Sequence, residues 1–300
     1  MTPGSSSRRR VVATAGVAAT ALVLTACGGS DGDSGGDSGG GGGSTLTVGT
    51  TDKVTTLDPA GSYDNGSFAV MNPVFPFLMN TPLGSPEVEP DIAESAEFTS
   101  PTQYTVTLKP DLKWANGNDL TSSDVKFTFD RQLAIADENG PSSLLYNLAS
   151  VDTPDDTTVV FNLKTENDQV FPQILSSPAG PIVDEDVLSA TELTPDDEIV
   201  DGNAFHGQYV ITSYDLNNLV SYEAYPDYQG LLGAPKTEAV NVKYYADSSN
   251  LKLDIQEGNI DVAFRSLSAT DVEDLRGNDA VKVVDGPGGE IRYIVFNFNT

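Results

Sequence analysis

The chain has 300 residues, enough for one large domain or two medium ones. Its 44 acidic and 16 basic residues give a formal net charge of −28. This argues against nucleic acid as a partner, which needs a basic face, and reads as a solvated, self-repelling surface. One cysteine, Cys27, excludes an internal disulfide and a cysteine metal cage; one histidine, His206, excludes multi-histidine sites. No metal site and no cofactor is expected.

Residues 1–26 read as a signal peptide. Arg8, Arg9 and Arg10 form a positive head, and 11–24 is an Ala/Val/Leu-rich stretch, shorter than the ~20 residues that cross a bilayer. Leu24-Thr25-Ala26-Cys27-Gly28 resembles a bacterial lipobox, in which the cysteine is acylated and becomes the new N-terminus, so Cys27 is the expected lipidation point. The arginine-rich head also resembles a twin-arginine signal, and the export route stays open.

Residues 27–44 would be the lipidated cysteine and a disordered tether, because 28–44 is Gly, Ser and Asp with nothing apolar to bury. As a flexible coil the tether spans roughly 20–25 Å. Gly32-Asp33-Ser34-Gly35-Gly36 spells a serine-protease string, but a nucleophile needs a rigid base and an oxyanion hole around it. Asp31, Asp33 and Asp37 fail as a calcium loop because its twelfth position is Gly42 and not Glu.

Globular sequence starts at Thr45. Strands are predicted at 45–49, 104–108 and 158–163, each alternating in polarity with Gly, Pro or Asp near its ends. Thr121 and Asp124 form a capping box before an apolar stripe at Val125, Phe129, Leu133 and Ala136, which predicts a helix over 122–137. A hairpin follows at 209–214 and 220–225 around Leu216-Asn217-Asn218, then a strand at 240–245. A helix over 248–257 stops at Gly258, a strand covers 260–264, a helix over 270–276 ends at Gly277, and 290–298 alternates as a last strand. Strands interleaved with helices give a mixed α/β or α+β domain.

A set of short motifs now lines up. Leu57-Asp58-Pro59 follows the first strand. Glu89-Pro90-Asp91-Ile92-Ala93-Glu94-Ser95, Lys113-Trp114-Ala115-Asn116-Gly117 and Leu120-Thr121-Ser122-Ser123-Asp124-Val125-Lys126-Phe127 come next. Gly207-Gln208-Tyr209, Tyr225-Pro226-Asp227-Tyr228, Glu257-Gly258-Asn259-Ile260-Asp261 and Phe296-Asn297-Phe298-Asn299-Thr300 complete the series. In this order across 45–300 the chain resembles family 5 of the extracellular solute-binding proteins, the peptide, dipeptide and nickel class. Gln208 and Ala115 depart from the family's usual residues.

The resemblance implies a periplasmic-binding-protein-like, two-lobed clamp with an extra N-terminal subdomain, of which 45–300 would be mostly the first lobe, ending before the second. It implies no enzyme but an extracytoplasmic lipoprotein that captures oligo- or dipeptides and hands them to the permease subunits of an ABC importer, held at the outer face of the cell membrane by its lipid. A secreted hydrolase, or a family member for an oligosaccharide, metal chelate or haem, are the alternatives. By the same resemblance Val54, Thr55 and Thr56 are the candidate edge on which a peptide adds as a strand; an ordinary strand-to-loop turn is the other reading. From the residues themselves, Trp114 reads as a core aromatic with a satisfied indole N–H, and His206 as an exposed or hydrogen-bonded loop residue.

Overall fold

The computed structural model describes residues 45–265, 267–286 and 294–298. The expected signal peptide, Cys27 and the tether lie outside them. In chain order, β1 (Thr45–Thr50), a 3₁₀ turn (Pro59–Gly61), α1 (Asn65–Met71), β2 (Met79–Asn80), β3 (Glu89–Pro90), β4 (Ala93–Ser100) and β5 (Gln103–Leu108) come first. Then follow α2 (Ser122–Ile135), a 3₁₀ turn (Ser142–Leu145), β6 (Leu148–Asp155), β7 (Thr158–Leu163), α3 (Phe171–Ile174) and α4 (Asp196–Asp201). β8 (Tyr209–Asp215), β9 (Leu219–Ala224), β10 (Ala239–Tyr244), α5 (Ser248–Glu257), β11 (Val262–Phe264) and α6 (Ala269–Arg276) complete it.

Two larger sheets carry most of these strands, and β2 and β3 pair separately. An antiparallel sheet runs β4-β5-β7-β6, and a mixed sheet runs β11-β1-β10-β9-β8. In the first, period-2 alternation does what it should: Tyr104, Val106 and Leu108 of β5 and Val159, Phe161 and Leu163 of β7 are buried, with Tyr104 opposite Phe161 and Val106 opposite Val159. α2 lays Val125 and Phe129 on this face, and Phe129 meets Phe161 edge-on with ring centroids 5.1 Å apart.

In the mixed sheet β1 lies between β10 and β11 and is parallel to both, with Thr50 opposite Tyr244 on one side and Phe264 on the other. β9 and β8 continue antiparallel as the predicted hairpin. A second apolar cluster, including Leu57, Met71, Phe75, Phe205, Val220 and Tyr222, packs on this sheet.

One buried ion pair spans the two cores. Asp58 accepts Arg131 Nη1 at 2.7 Å and Nη2 at 2.5 Å, and both side chains are essentially inaccessible. Asp58 also accepts the N–H of Ala60 and of Thr194, while Arg131 donates to the carbonyls of Ser189 and Glu192. Every polar position of the pair therefore has a partner, which is what makes a fully desolvated ion pair tolerable.

The helix termini follow local chemistry. The capping box of α2 is formed on both sides by Thr121 and Asp124. Asp124 also accepts the N–H of Glu185, and burial pushes its carboxyl up to about 6. The helix stops at Ile135 rather than 137, because Ala136 takes a left-handed φ of 46°; Leu133 on the expected stripe is partly exposed. α5 matches its predicted span, with Gly258 at φ 72° closing it.

The strand expected at 290–298 is corrected where it can be seen. Residues 287–293 lie outside the described set, and 294–298 belong to no sheet, with Ile294, Val295, Phe296 and Phe298 all largely exposed. Alternation supplies a strand only when a neighbouring strand offers its ladder, and none lies beside these residues among those described.

Candidate ligand-binding site

The three parallel strands β10, β1 and β11 end side by side, at Tyr244, Thr50 and Phe264. Beyond the carboxyl ends of parallel strands the chain must turn away, and open α/β sheets form their ligand crevices there. Here those ends open on a cavity of about 240 Å³ walled by Val48, Val70, Val242, Tyr244 and Phe264 and reached by Asp52.

Each wall has a local cause. α1 can lie against the segment after β1 only because Gly66 has no side chain: a Cβ there would sit 1.9 Å from the Lys53 carbonyl oxygen. The N–H of Asp52 donates to Thr50 Oγ1 (3.1 Å), a turn that aims its carboxylate back over the strand ends. Asp52 Oδ2 is buried without a hydrogen-bond partner, and Arg265 Nε stands 3.6 Å away. Arg265 itself follows β11 in a left-handed conformation, φ 62°, with its guanidinium 5.9 Å from the Phe264 ring centre. Burial, and secondarily the charge of Asp52, raises the Tyr244 hydroxyl above its ordinary range, so it stays protonated as a donor.

The candidate edge at Val54, Thr55 and Thr56 is an irregular segment next to this cavity. Val54 donates its N–H to Asn217 Oδ1 at 2.7 Å, and its carbonyl accepts Asn217 Nδ2 at 3.0 Å. The hairpin turn, with Asn217 at φ 56°, thus caps the main chain of Val54. The N–H of Thr55 goes to Ser67 Oγ, and the Thr56 hydroxyl to Asp196, which also takes the N–H of Leu57 and the Tyr214 hydroxyl. Among the described residues, the Thr55 carbonyl and the Thr56 N–H and carbonyl are the main-chain groups of this stretch with no hydrogen-bond partner.

The other motif residues hold the scaffold. Asp91 accepts Asn80, the Tyr228 hydroxyl and the N–H of Leu231, tying the β3–β4 junction to the segment after the hairpin. Burial pushes its carboxyl up against those bonds. Residues 114–117 form a turn closed by Gly117 N–H to Trp114 carbonyl, and Asn116 reaches Asp184. Trp114 is buried as expected, but its indole N–H has no partner, which corrects the expectation that it would be satisfied.

His206 is fully buried. Its Nδ1 lies 2.5 Å from the Lys113 carbonyl, which can only accept, so Nδ1 carries the proton. Among the described residues no group of three or more His, Cys, Asp or Glu is placed to hold a metal.

Sequence reasoning missed Asp52, Tyr244, Phe264 and Arg265. The one signal was that three predicted strands end within three residues of them. Nothing in the sequence says that those strands are adjacent and parallel.

A mixed sheet whose parallel strands end at a walled crevice, joined to a second antiparallel subdomain, is an architecture found in part of the two-lobed periplasmic binding proteins. The model of the bacterial extracellular solute-binding proteins, family 5 Middle, matches residues 87–300. The chain belongs to that family. The chain is 28% identical over 260 residues to the "Probable D,D-dipeptide-binding periplasmic protein DdpA" of Escherichia coli K12, covering 84% of this chain and 49% of that protein. The structure of the ABC transporter substrate-binding protein CtaP from Listeria monocytogenes superposes with a TM-score of 0.65 at 25% identity, over 80% of this chain and 47% of that one. MoaA of A. tumefaciens R10, in complex with mannopinic acid, shares the fold with a TM-score of 0.67 at 22% identity, over 79% and 48%. The chain spans about half the length of the proteins it matches.

The buried His206 makes one pH dependence explicit. Burial pulls its imidazole below the ordinary value of 6.5, against the Lys113 carbonyl and the charge of Asp227. The unfolded chain therefore takes the proton first, so this residue's contribution is complete above pH 6.5 and is lost as pH falls below it. Asn at 206 can still donate to the Lys113 carbonyl but cannot titrate. Denaturant midpoints from pH 7.5 down to 5 should fall less steeply for His206→Asn than for the native protein; Asp124 titrates equally in both. Parallel slopes would contradict a buried neutral imidazole.

Proposed function

We propose that the chain is the ligand-capturing first lobe of an extracytoplasmic lipoprotein that binds peptides and delivers them to the permease subunits of an ABC importer. The observation that carries this reading is the crevice at the joined carboxyl ends of β10, β1 and β11, in a chain similar to the "Probable D,D-dipeptide-binding periplasmic protein DdpA". An extended peptide over this crevice meets the Thr55 carbonyl and the Thr56 N–H and carbonyl. Such main-chain contacts tolerate any side chain, because every residue offers the same groups. A second lobe closing over the ligand supplies the remaining contacts and the closed surface that docks on the permease. A non-peptide ligand, as in MoaA, is the second reading, and the same experiment separates the two.

The full-length protein should show a rise of several degrees in its thermal midpoint with a mixed tri- to pentapeptide pool. Ligand at ~100 times Kd adds about 2.7 kcal/mol to the folded state. Sugars, opines and metal chelates should leave the midpoint in place. A shift with one of those and none with peptides would overturn the peptide reading.

The lipid anchor rests on Leu24-Thr25-Ala26-Cys27 after an apolar run. Mass spectrometry of the N-terminus from a native-like host should find a diacyl- or triacylglyceryl group on Cys27, and Cys27→Ala should release the protein into the medium, since two or more acyl chains are needed for stable anchoring. Cleavage elsewhere, or an unmodified cysteine, would contradict it.

A further inference from the structure

Among the charged groups at the crevice, Asp52 is the one whose bonding is incomplete. Its carboxylate sits among apolar and aromatic walls, and Oδ2 is buried with no hydrogen-bond donor. Buried polar atoms are nearly always satisfied, so one left bare at the mouth of a ligand crevice is a site for a donor brought from outside. Arg265 does not fill that role in this arrangement. Its Nε is 3.6 Å from Oδ2, an ion pair beyond hydrogen-bonding reach. The guanidinium stands 5.9 Å from the centre of the Phe264 ring, which is about half exposed.

The walls set the shape of the missing donor. Val48, Val70 and Val242 line the cavity with aliphatic surface, Tyr244 and Phe264 add aromatic faces, and Asp52 is the anion they share. Phe264 is about half exposed, so one wall is open to what enters. Lysine and arginine have this amphipathic form, an alkyl stem that packs on apolar surface and a cation at its tip. Aromatic faces add attraction for such a cation. A bare N-terminal ammonium has no stem to use the aliphatic walls, and an acidic side chain would meet Asp52 with like charge.

We infer that this cavity is a side-chain pocket for a lysine or arginine of the bound ligand, with Asp52 holding the cation and Tyr244 and Phe264 flanking the stem. The inference rests on the proposed peptide-binding function and adds a preference to it: main-chain contacts accept any sequence, and this pocket ranks basic residues above the rest. The ligand's cation replaces Arg265 beside Asp52, and the guanidinium turns outward to water.

Calorimetric titration of the full-length protein with short peptides that differ at one position, Lys, norleucine or Glu, tests it, each peptide with a free and with an acetylated N-terminus. The lysyl peptide should bind about tenfold more tightly than its norleucyl counterpart, equivalent to ~1.4 kcal/mol, with the glutamyl peptide weakest. The order should survive acetylation. Asp52→Asn should bring the lysyl-to-norleucyl ratio close to one, and Arg265→Gln, which removes the competing cation, should increase it. Equal binding of the three peptides, tightest binding of the glutamyl one, or a preference that vanishes on acetylation would overturn the pocket assignment while leaving peptide capture standing. No binding of any peptide would overturn both. The native protein's own ratio decides the matter even if a variant folds poorly.

Discussion

Asp58 and Arg131 stand 73 residues apart in the chain and meet with both carboxylate oxygens on two guanidinium nitrogens, out of contact with water. Two charges in such a place are costly to desolvate, and their attraction offsets that cost only when the remaining lone pairs and protons are also satisfied. Here every oxygen and nitrogen of the pair has a partner, and four of the five guanidinium N–H groups are bonded, with the N–H groups of Ala60 and Thr194 on the carboxylate and the carbonyls of Ser189 and Glu192 on the guanidinium. The pair therefore fixes four pieces of backbone at once: the turn after β1, the body of α2, and both ends of the 189–194 loop. With α2 seated on the antiparallel sheet and β1 an interior strand of the mixed sheet, the pair is a brace between the two sheets.

The candidate crevice depends on that brace. The segment leaving β1 passes Asp52 and Val54 before it reaches Asp58, and each end of it is held. Asn217 caps Val54 from the hairpin, Gly66 lets α1 press against Lys53, and Asp58 anchors the far end. A short stretch pinned at three points keeps its side chains and carbonyls at fixed positions. Such preorganisation lowers the entropy lost when a ligand is ordered against it. The motif Leu57-Asp58-Pro59 thus acts at one remove from the candidate crevice: its aspartate fixes the scaffold, and the candidate edge at Val54, Thr55 and Thr56 lies a few residues earlier.

The parts of the fold legible in the sequence were those with a local cause. β5 and β7 are central strands with one face buried, and their alternation is regular; α5 has Asp247 at its start and Gly258 at its end. β4 and β6 escaped because both are edges of the antiparallel sheet. β6 carries Pro154 and two aspartates and buries only Leu148 and Val151, so its strand character comes from pairing with β7. α1 begins Asn-Gly-Ser, poor helix formers, and exists because Asp64 caps it and its apolar face is buried. For the site, the motifs announced the family, but most of their polar residues turned out to hold the frame together. Asp52, Tyr244 and Phe264 come from three strand ends far apart in sequence, and only the parallel pairing of β10, β1 and β11 brings them to one cavity.

If the Asp58–Arg131 pair is the brace on which the crevice depends, removing one partner must leave a buried, unpaired charge. The direct measurement is the unfolding free energy of Arg131→Met in denaturant, against the native protein at pH 7. The expected loss is about 3–5 kcal/mol, the usual consequence of stranding one member of a buried pair. A loss below about 1 kcal/mol, the range of an exposed pair, would show that the two cores are joined by something else.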